Sequence, residues 1–225
     1  MTDPALSPAT AWAVRLKITE IFHSIQGEGL TAGVPTVFVR LTGCPLRCTY
    51  CDTAYAFSGG EYLDLGQILD RVRTYATRHV TVTGGEPLAQ AGVHALLRAL
   101  CNGGHEVSLE TSGALDVAGV DPRVVRVLDL KTPSSGECAR NLYANLDLLQ
   151  PGEQVKFVLC DRGDYDWAVD TAAKYDLARR ACVLFSPAWG QLDAATLAQW
   201  MLEDRLPYRL QLQLHKILWG EVPGR

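Results

Sequence analysis

Short apolar runs and helical patterns alternate along most of the chain. Alternating or β-branched runs predict strands over residues 15–22, 36–41, 79–83, 105–110, 124–130, 154–160, 181–186 and 208–215. Apolar residues at helical spacing predict a helix that begins after Asp64, a helix from Val93 to the Gly103-Gly104 pair, and helices over 165–178, 193–203 and, from a weaker pattern, 138–149. No helix is predicted between Glu110 and Val124, so the alternation is incomplete.

This alternation determines the fold class that we expect. Strands separated by helices favour a mostly parallel sheet with right-handed crossovers. Because some crossover helices are missing, the prediction is an α/β fold in which six or seven strands form an open, partial (β/α) barrel. Internal repeats, low-complexity tracts and linkers are absent from the sequence, which predicts one domain over residues 1–225 with a flexible leader over residues 1–14.

Unusual loops follow five of the predicted strands. They are GCPLRCTYCD after Leu41, the TGGEP segment at Thr83, ETSG at Glu110, LKTPSSG at Leu130 and SPAWG after Phe185. The carboxyl ends of parallel strands lie at one edge of a sheet, where rigid strands hold several loops together. We therefore expect a single site that is assembled from these five loops.

Composition and charge narrow the class of protein. The 48% hydrophobic and 20% charged residues are typical of an ordinary globular chain rather than a disordered one. With 21 basic against 25 acidic residues the net charge is −4, which gives no field to hold a nucleic acid, so no nucleic-acid partner is expected. No apolar stretch approaches 18 residues and no signal peptide is evident, so we expect a cytoplasmic protein without a membrane partner.

Three of the seven cysteines fall within eight residues, at Cys44, Cys48 and Cys51. In a reducing compartment such a group indicates a metal or catalytic site, whereas the four scattered cysteines are typical of small core residues. Three thiolates can hold a [4Fe-4S] cluster and leave one iron open for another ligand. A structural zinc site needs a fourth ligand, which could come from Asp52, His23 or His215, and this alternative stays open here.

The cysteine spacing is one of several motifs that point to a known family. CxxxCxxC followed, after a strand, by Gly-Gly-Glu-Pro at residues 84–87 resembles the radical S-adenosylmethionine enzymes, whose open iron chelates the methionine part of that cofactor. Glycines in such a loop let the backbone approach a ligand closely. IQGEG at 25–29, VFVRLTGCPLRCTYCDTAYA, ETSG, KTPSSG and QLHK at 213–216 make the chain similar to the 7-carboxy-7-deazaguanine synthase family, from about residue 18 to residue 216.

The resemblance implies a set of site residues. It implies that Cys44, Cys48 and Cys51 ligate a [4Fe-4S] cluster and that the Thr53 hydroxyl binds Mg²⁺. It implies contacts with a small pterin substrate from Ile25, Gln26, Gly27, Arg40, Thr83 and His215, with Arg40 at the substrate carboxylate and His215 near the end of the last strand. It implies S-adenosylmethionine contacts from Gly85, Asp129, Leu130, Lys131, Ser186, Pro187, Ala188 and Trp189, and Glu110 is a further candidate.

The resemblance also implies a reaction. One electron from the reduced cluster cleaves S-adenosylmethionine, and the 5′-deoxyadenosyl radical removes hydrogen from C6 of 6-carboxy-5,6,7,8-tetrahydropterin. The ring then contracts, ammonia leaves and 7-carboxy-7-deazaguanine forms, which makes the protein a lyase of 7-deazapurine (queuosine) biosynthesis. A flavodoxin or ferredoxin is the expected electron donor, and a homodimer is the expected assembly.

Three other functions compete with this one. An activase could use the same radical to form a glycyl radical on a partner protein, but IQGEG, Arg40 and the Cys51-Asp52-Thr53 run favour a small carboxylated substrate. An electron-transfer module needs four cysteines per cluster, and only three lie at ligand spacing. A structural zinc module leaves the GGEP segment and the other strand-end loops unexplained.

Overall fold

A mixed sheet of nine strands runs through residues 14–224, which are the residues that the computed structural model describes. The predicted flexible leader therefore lies outside the described residues, except for Val14. The strands are β1 Arg15–Ile25, β2 Pro35–Leu41, β3 Glu61–Asp64, β4 His79–Gly84, β5 Glu106–Thr111, β6 Val125–Leu130, β7 Gln154–Leu159, β8 Cys182–Pro187 and β9 Arg209–Leu210.

The strand order in the sheet is β3-β1-β2-β4-β5-β6-β7-β8-β9. Strand β2 and strands β4 to β9 are parallel, whereas β1 pairs antiparallel with both β2 and β3. The two ends of this order, β3 and β9, do not pair with each other, so the sheet is open. The predicted open α/β fold is confirmed, but the sheet has nine strands rather than six or seven, and the sequence pattern did not predict the short edge strand β3.

Six α-helices accompany the sheet within residues 14–224. They are α1 Leu65–Arg73, α2 Val93–Asn102, α3 Arg162–Lys174, α4 Leu177–Arg180, α5 Ala194–Glu203 and α6 Leu214–Trp219. Asp64 begins the first helix with a capping box, because its carboxylate accepts from Gln67 N while its own N–H donates to the Gln67 side chain. None of the helices in this part of the chain has the length and apolar character that crossing a bilayer requires.

Alternation along the strands separates an apolar layer from a polar one. In β2, for example, Val37 and Val39 are fully buried in the core, while Phe38 and Arg40, which alternate with them, line a cavity. The core lies between the sheet and the helices and includes Leu96 and Leu97 of α2 and Tyr165 of α3. Because successive side chains of a strand point to opposite faces, the other face of the same strands is free to carry polar chemistry.

The predicted strand over residues 208–215 is wrong for most of its length. Only Arg209–Leu210 pairs with β8, and residues from Leu214 onward form the last helix. The last contact with β8 is the hydrogen bond from Gln211 N to Phe185 O. Three residues later, Leu214 N donates to Gly27 O, which follows strand β1 near the other end of the strand order. His215 is therefore on a helix and not near the end of a strand.

The weak helical pattern over residues 138–149 forms two 3-10 segments, Cys138–Arg140 and Tyr143–Leu148, rather than an α-helix. Two asparagines explain this difference. The Asn141 side chain bonds both the N–H and the carbonyl of Lys131, and the Asn145 side chain donates to Gly113 O and Leu115 O. Side-chain bonds to distant backbone compete with helix formation, so the segment follows the loops to which it is attached.

Candidate active site

A cavity of about 410 Å³ opens where the parallel strands end. Every residue that the family resemblance implied as a site residue lines it, except Leu130 and Pro187. Leu130 is fully buried in the core, because strand alternation turns it away while Asp129 and Lys131 face the cavity. Pro187 is likewise flanked by Ser186 and Ala188, which do face it.

The loop that carries the three cysteines is pinned to two other strand-end loops. Glu86 N donates to Gly43 O at 2.8 Å, which joins the cysteine loop to the GGEP segment. Thr49 N donates to Ser135 O at 3.1 Å and the Thr49 hydroxyl donates to Ser134 O at 2.7 Å, which joins it to the KTPSSG loop. These bonds hold Cys44, Cys48 and Cys51 around one side of the cavity.

The three cysteine thiols are partly buried, which makes the charged thiolate form unfavourable unless a positive charge lies nearby. Burial raises the pKa of all three cysteines, and it raises the pKa of Cys48 to about 11 although Lys131 acts in the opposite direction. A cationic iron cluster supplies the charge that ionises such thiols. Within residues 14–224, no three His, Cys, Asp or Glu side chains surround a point where a single metal ion could bind. Three thiols from one loop, all facing one cavity, are the donor set that a [4Fe-4S] cluster with one open iron requires.

The GGEP segment lies against the cysteine loop with no space for a side chain. A Cβ on Gly85 would fall 2.4 Å from Gly43 O and 2.7 Å from Cys44 Cβ, so only glycine allows this approach. The next residue, Glu86, is fully buried and accepts hydrogen bonds from Thr111 Oγ1 at 2.9 Å and from Ser112 N at 2.7 Å. This carboxylate ties the GGEP segment to the ETSG loop of the neighbouring strand.

The IQGEG segment approaches the last helix equally closely. A Cβ on Gly27 would fall 2.0 Å from His215 Nδ1, and Leu214 N donates to Gly27 O at 3.0 Å. The two residues thus share one wall of the cavity although they come from opposite ends of the chain. Burial lowers the pKa of His215, so its imidazole is neutral near pH 7.

Five ionisable side chains lie close together in the cavity next to the IQGEG segment: Glu28, Glu110, Asp129, Lys131 and Lys156. Lys156 Nζ lies 2.7 Å from Glu28 Oε2 and 3.4 Å from Asp129 Oδ2, and Lys131 Nζ lies 3.1 Å from Asp129 Oδ1. Asp129 and Lys156 are direct partners in the parallel β6–β7 register, which explains why they meet. Glu110 faces the same space and accepts, at 3.4 Å, from both Gln26 Nε2 and Thr83 Oγ1.

These neighbours shift the pKa values of the group. Burial alone opposes ionisation of Glu28, but the attraction and hydrogen bond of Lys156 hold its pKa below the usual value. Burial likewise disfavours the charged form of Lys156, yet Glu28, Asp129 and Glu110 raise its pKa well above normal. Burial raises the pKa of Glu110, and the charge of Glu28 adds to this effect. Glu110 thus takes up a proton more readily than Glu28 does.

Oxygen donors lie beside the third cysteine. The Thr53 hydroxyl donates to Asp52 Oδ1 at 2.8 Å, and Lys216 Nζ lies 3.0 Å from Asp52 Oδ2. Burial disfavours the Asp52 carboxylate, but Lys216 holds the pKa of this group well below its usual range. A hydroxyl and an ionised carboxylate at the cavity are the hard oxygen donors that Mg²⁺ prefers.

Arg40, in strand β2, also lines the cavity. Its Nε donates to Glu20 Oε1 at 2.7 Å, and the Tyr55 hydroxyl donates to the same oxygen at 2.8 Å. The guanidinium carbon lies 5.7 Å from the Phe22 ring centroid and 5.8 Å from that of Tyr55. These contacts fix the guanidinium at the cavity wall, where it can meet an anionic group.

Several residues of the site were not assigned a role from the sequence. They are Glu28, Glu86, Lys156, Gln213 and Lys216, while Asp52 was named from the sequence only as a possible zinc ligand. Lys156 had a local signal, because it is the only charged residue in the apolar strand Gln154–Leu159. The pairing of Lys156 with Glu28 and Asp129 had no such signal, since it depends on which segments the fold brings together.

Comparison with known proteins gives matches over most of the chain. Residues 38–175 match the family model of the radical SAM superfamily. A 7-carboxy-7-deazaguanine synthase from Chlorobaculum tepidum is 47% identical over 208 residues, which cover 91% of this chain and 94% of that protein. The Koribacter versatilis protein of the same name is 40% identical, with coverage of 91% and 97%.

Solved structures show the same fold. The crystal structure of QueE from Escherichia coli has a TM-score of 0.69 at 23% identity and covers 89% of this chain and 95% of that chain. Streptococcus suis SuiB bound to S-adenosylmethionine has a TM-score of 0.55 at 14% identity, with coverage of 76% and 48%. At these identities the likeness concerns the arrangement of strands and helices.

Proposed function

The chain belongs to the 7-carboxy-7-deazaguanine synthase family of the radical SAM superfamily, and from this membership we propose how its cavity carries out the reaction. The protein is a lyase that converts 6-carboxy-5,6,7,8-tetrahydropterin to 7-carboxy-7-deazaguanine with loss of ammonia. Its cofactors are a [4Fe-4S] cluster and S-adenosylmethionine. The observation that carries the assignment of residues is the meeting of the cysteine loop, the GGEP segment and the IQGEG segment around one cavity.

The cofactor half of the cavity lies between the cysteine loop and strands β6 and β8. Cys44, Cys48 and Cys51 would hold the cluster there, and the cluster together with S-adenosylmethionine would supply the radical chemistry that the substrate needs. Gly85 lets the backbone approach the methionine part, and Asp129 and Lys131 face its polar groups. Ser186, Ala188 and the half-exposed Trp189 form an apolar wall suited to adenine.

The substrate half lies between Arg40 and the last helix. The Arg40 guanidinium, fixed by Glu20, binds the substrate carboxylate. The backbone of residues 25–27, the Thr83 hydroxyl and the neutral His215 imidazole supply donors and acceptors for the pterin edge. We assign the Mg²⁺ to the Thr53 hydroxyl beside the ionised Asp52, where it would also meet the substrate.

The wider context follows from the same proposal. The electron donor is a flavodoxin or ferredoxin, and the exposed Pro45, Arg47 and Thr49 of the cysteine loop give it a path to the cluster. The chain forms one domain and works as a homodimer in the cytoplasm, in keeping with seven free thiols and with exposed apolar residues near the carboxyl terminus. The net charge of −4 gives no overall field that would attract a nucleic acid.

Anaerobic reconstitution tests this function. The protein is loaded with iron and sulfide, then mixed with S-adenosylmethionine, dithionite, Mg²⁺ and 6-carboxytetrahydropterin, and the product is identified by mass spectrometry. We expect 7-carboxy-7-deazaguanine, and no product from Cys48→Ala, which lacks one cluster ligand. Formation of 5′-deoxyadenosine without deazaguanine from a cluster-loaded protein would contradict the proposed substrate.

A further inference from the structure

Lys156 is buried at the base of the cavity and has no role in the assignments above. It lies on strand β7 between the core residues Val155 and Phe157, and its side chain is only 11% exposed. A lysine is almost never buried so far unless it is paired. The carboxylates of Glu28 and Asp129, at 2.7 and 3.4 Å from Nζ, provide that pairing.

Glu28 belongs to the IQGEG segment, which supplies the proposed substrate contacts. Its carboxylate also accepts from Gln213 Nε2 at 3.0 Å and from Gln211 Nε2 at 3.2 Å. The backbone that follows is held from the same side, since Gly29 N donates to Gln211 at 2.6 Å and Leu30 N to Gln154 at 2.9 Å. Lys156 is the only cation in this set of contacts, so the position of Glu28 depends on it.

Asp129 belongs to the end of strand β6, which faces the proposed cofactor half of the cavity. It is shared between Lys156 and Lys131, and Lys131 itself lies among the proposed cofactor contacts. Lys156 therefore touches one carboxylate from the substrate side of the cavity and one from the cofactor side. Without its charge, Glu28 would lose its cationic partner and Asp129 would keep only Lys131, so repulsion between the two carboxylates would push the substrate segment away from the end of strand β6.

We propose that Lys156 is a positioning residue, which holds the substrate segment at residues 25–29 and the cofactor-facing residues 129–131, at the end of strand β6, at a fixed separation. This inference rests on the proposed function, because it concerns how the pterin and S-adenosylmethionine are brought together. A displacement of about 1 Å between reacting groups can cost about 100-fold in rate. Loss of Lys156 should therefore impair hydrogen transfer to a much greater extent than cluster assembly.

The kinetic test compares Lys156→Met with the wild-type holoenzyme. We expect the variant to keep its cluster and to cleave S-adenosylmethionine, with a raised pterin KM and with about 100-fold less deazaguanine per 5′-deoxyadenosine, in line with misplaced reactants. Lys156→Arg keeps the charge and should recover most of that ratio. An unchanged ratio and KM in Lys156→Met would overturn the proposal.

A matched control separates positioning from stability. Arg126 forms a buried ion pair with Glu153, with side chains 8% and 6% exposed, and neither residue lines the cavity. Arg126→Met, assayed at a temperature where circular dichroism shows it folded, should keep the wild-type product ratio. If it changes the ratio as much as Lys156→Met does, the effect is general destabilisation and the proposal fails.

A second readout needs neither cluster nor turnover. Hydrogen exchange of the Gly29 and Leu30 amides reports directly on how the IQGEG segment is held. We expect faster exchange there in Lys156→Met, and recovery in the double variant Lys156→Met with Glu28→Gln, which removes both charges. Unchanged exchange in Lys156→Met would overturn the proposal, whether or not the wild type makes deazaguanine. If exchange changes as expected but the wild type makes no deazaguanine, only the proposed substrate is contradicted.

Discussion

At the scale of single residues, the charge state of Glu110 gives a prediction about pH. Burial and the nearby Glu28 raise its pKa above the ordinary value of 4.5, so the folded protein binds this proton more tightly than the unfolded chain does. The stability that this proton contributes is complete below pH 4.5 and is lost as the pH rises through the folded-state pKa. Glu110→Gln should therefore gain melting temperature relative to the wild type as the pH rises.

Thermal unfolding at pH 5.5 and pH 8.5 measures this difference. The advantage of Glu110→Gln should be larger at the higher pH, because only the wild type then carries a buried carboxylate in excess of its cations. Glu203→Gln, a change on an exposed helix end, is the control and should give the same difference at both values. An advantage of Glu110→Gln that shrinks with rising pH would contradict the assigned direction of the pKa shift.

The site residues that could be predicted from the sequence lie close together in the chain, whereas those that could not are brought together only by the fold. Cys44, Cys48 and Cys51 lie within one loop, so their spacing is visible in the chain itself. Lys156 acts through Glu28, which follows strand β1, and through Asp129, which lies on strand β6. Such a set depends on register and crossover, and no window of sequence contains it.

At the scale of elements, the approach of the GGEP segment to the cysteine loop gives the next prediction. A methyl group on Gly85 would overlap Gly43 O and Cys44 Cβ, which are backbone or close to it and cannot turn away. Gly85→Ala should therefore displace the cysteine loop and lower the iron and sulfide bound per chain after reconstitution. Iron analysis and the visible absorbance of the cluster measure this loss.

Gly163→Ala is the matched control for that change. A Cβ on Gly163 would meet only the Asp161 side chain, at 3.2 Å, in the first turn of a helix away from the cavity. This variant should bind iron like the wild type. Full cluster assembly in Gly85→Ala would show that the two loops can separate without consequence for the ligands.

Helices and strands could be predicted from the sequence where their hydrophobic pattern agrees with their contacts in the fold. The helix after Asp64 was predicted from its apolar spacing and its cap, and the structure contains it as Leu65–Arg73 with both capping bonds. Residues 208–215 alternate like a strand, yet the chain crosses there to meet Gly27 and forms a helix that carries His215. Contacts from the opposite end of the chain outweighed the local pattern at this position.

At the scale of the whole molecule, the two faces of the sheet have separate tasks. One face packs against helices and provides apolar burial, while the other holds the cavity and its buried charges. This division follows from the two-residue period of the strands, which is why the fold class could be predicted before any side-chain contact was known. The arrangement of the charges could not, because it depends on which strands are neighbours.

Such a division predicts that stability and chemistry can be changed independently. Leu96 is fully buried on the helical side of the sheet and does not line the cavity. Leu96→Ala should lower the free energy of unfolding by about 2–5 kcal/mol, because it removes buried methyl groups and leaves a cavity. Urea denaturation measures this loss, and turnover is assayed where the variant is folded.

The same substitution at an exposed site is the control for this last prediction. Leu202, on helix α5, is 73% exposed, so Leu202→Ala should change the free energy of unfolding by no more than about 0.5 kcal/mol. Both variants should keep the wild-type ratio of deazaguanine to 5′-deoxyadenosine, because neither touches a residue that holds substrate or cofactor. A lower ratio of deazaguanine to 5′-deoxyadenosine in folded Leu96→Ala would show that the helical layer also sets the geometry of the cavity. Positioning of the reactants could then not be assigned to the charged residues of the cavity face alone.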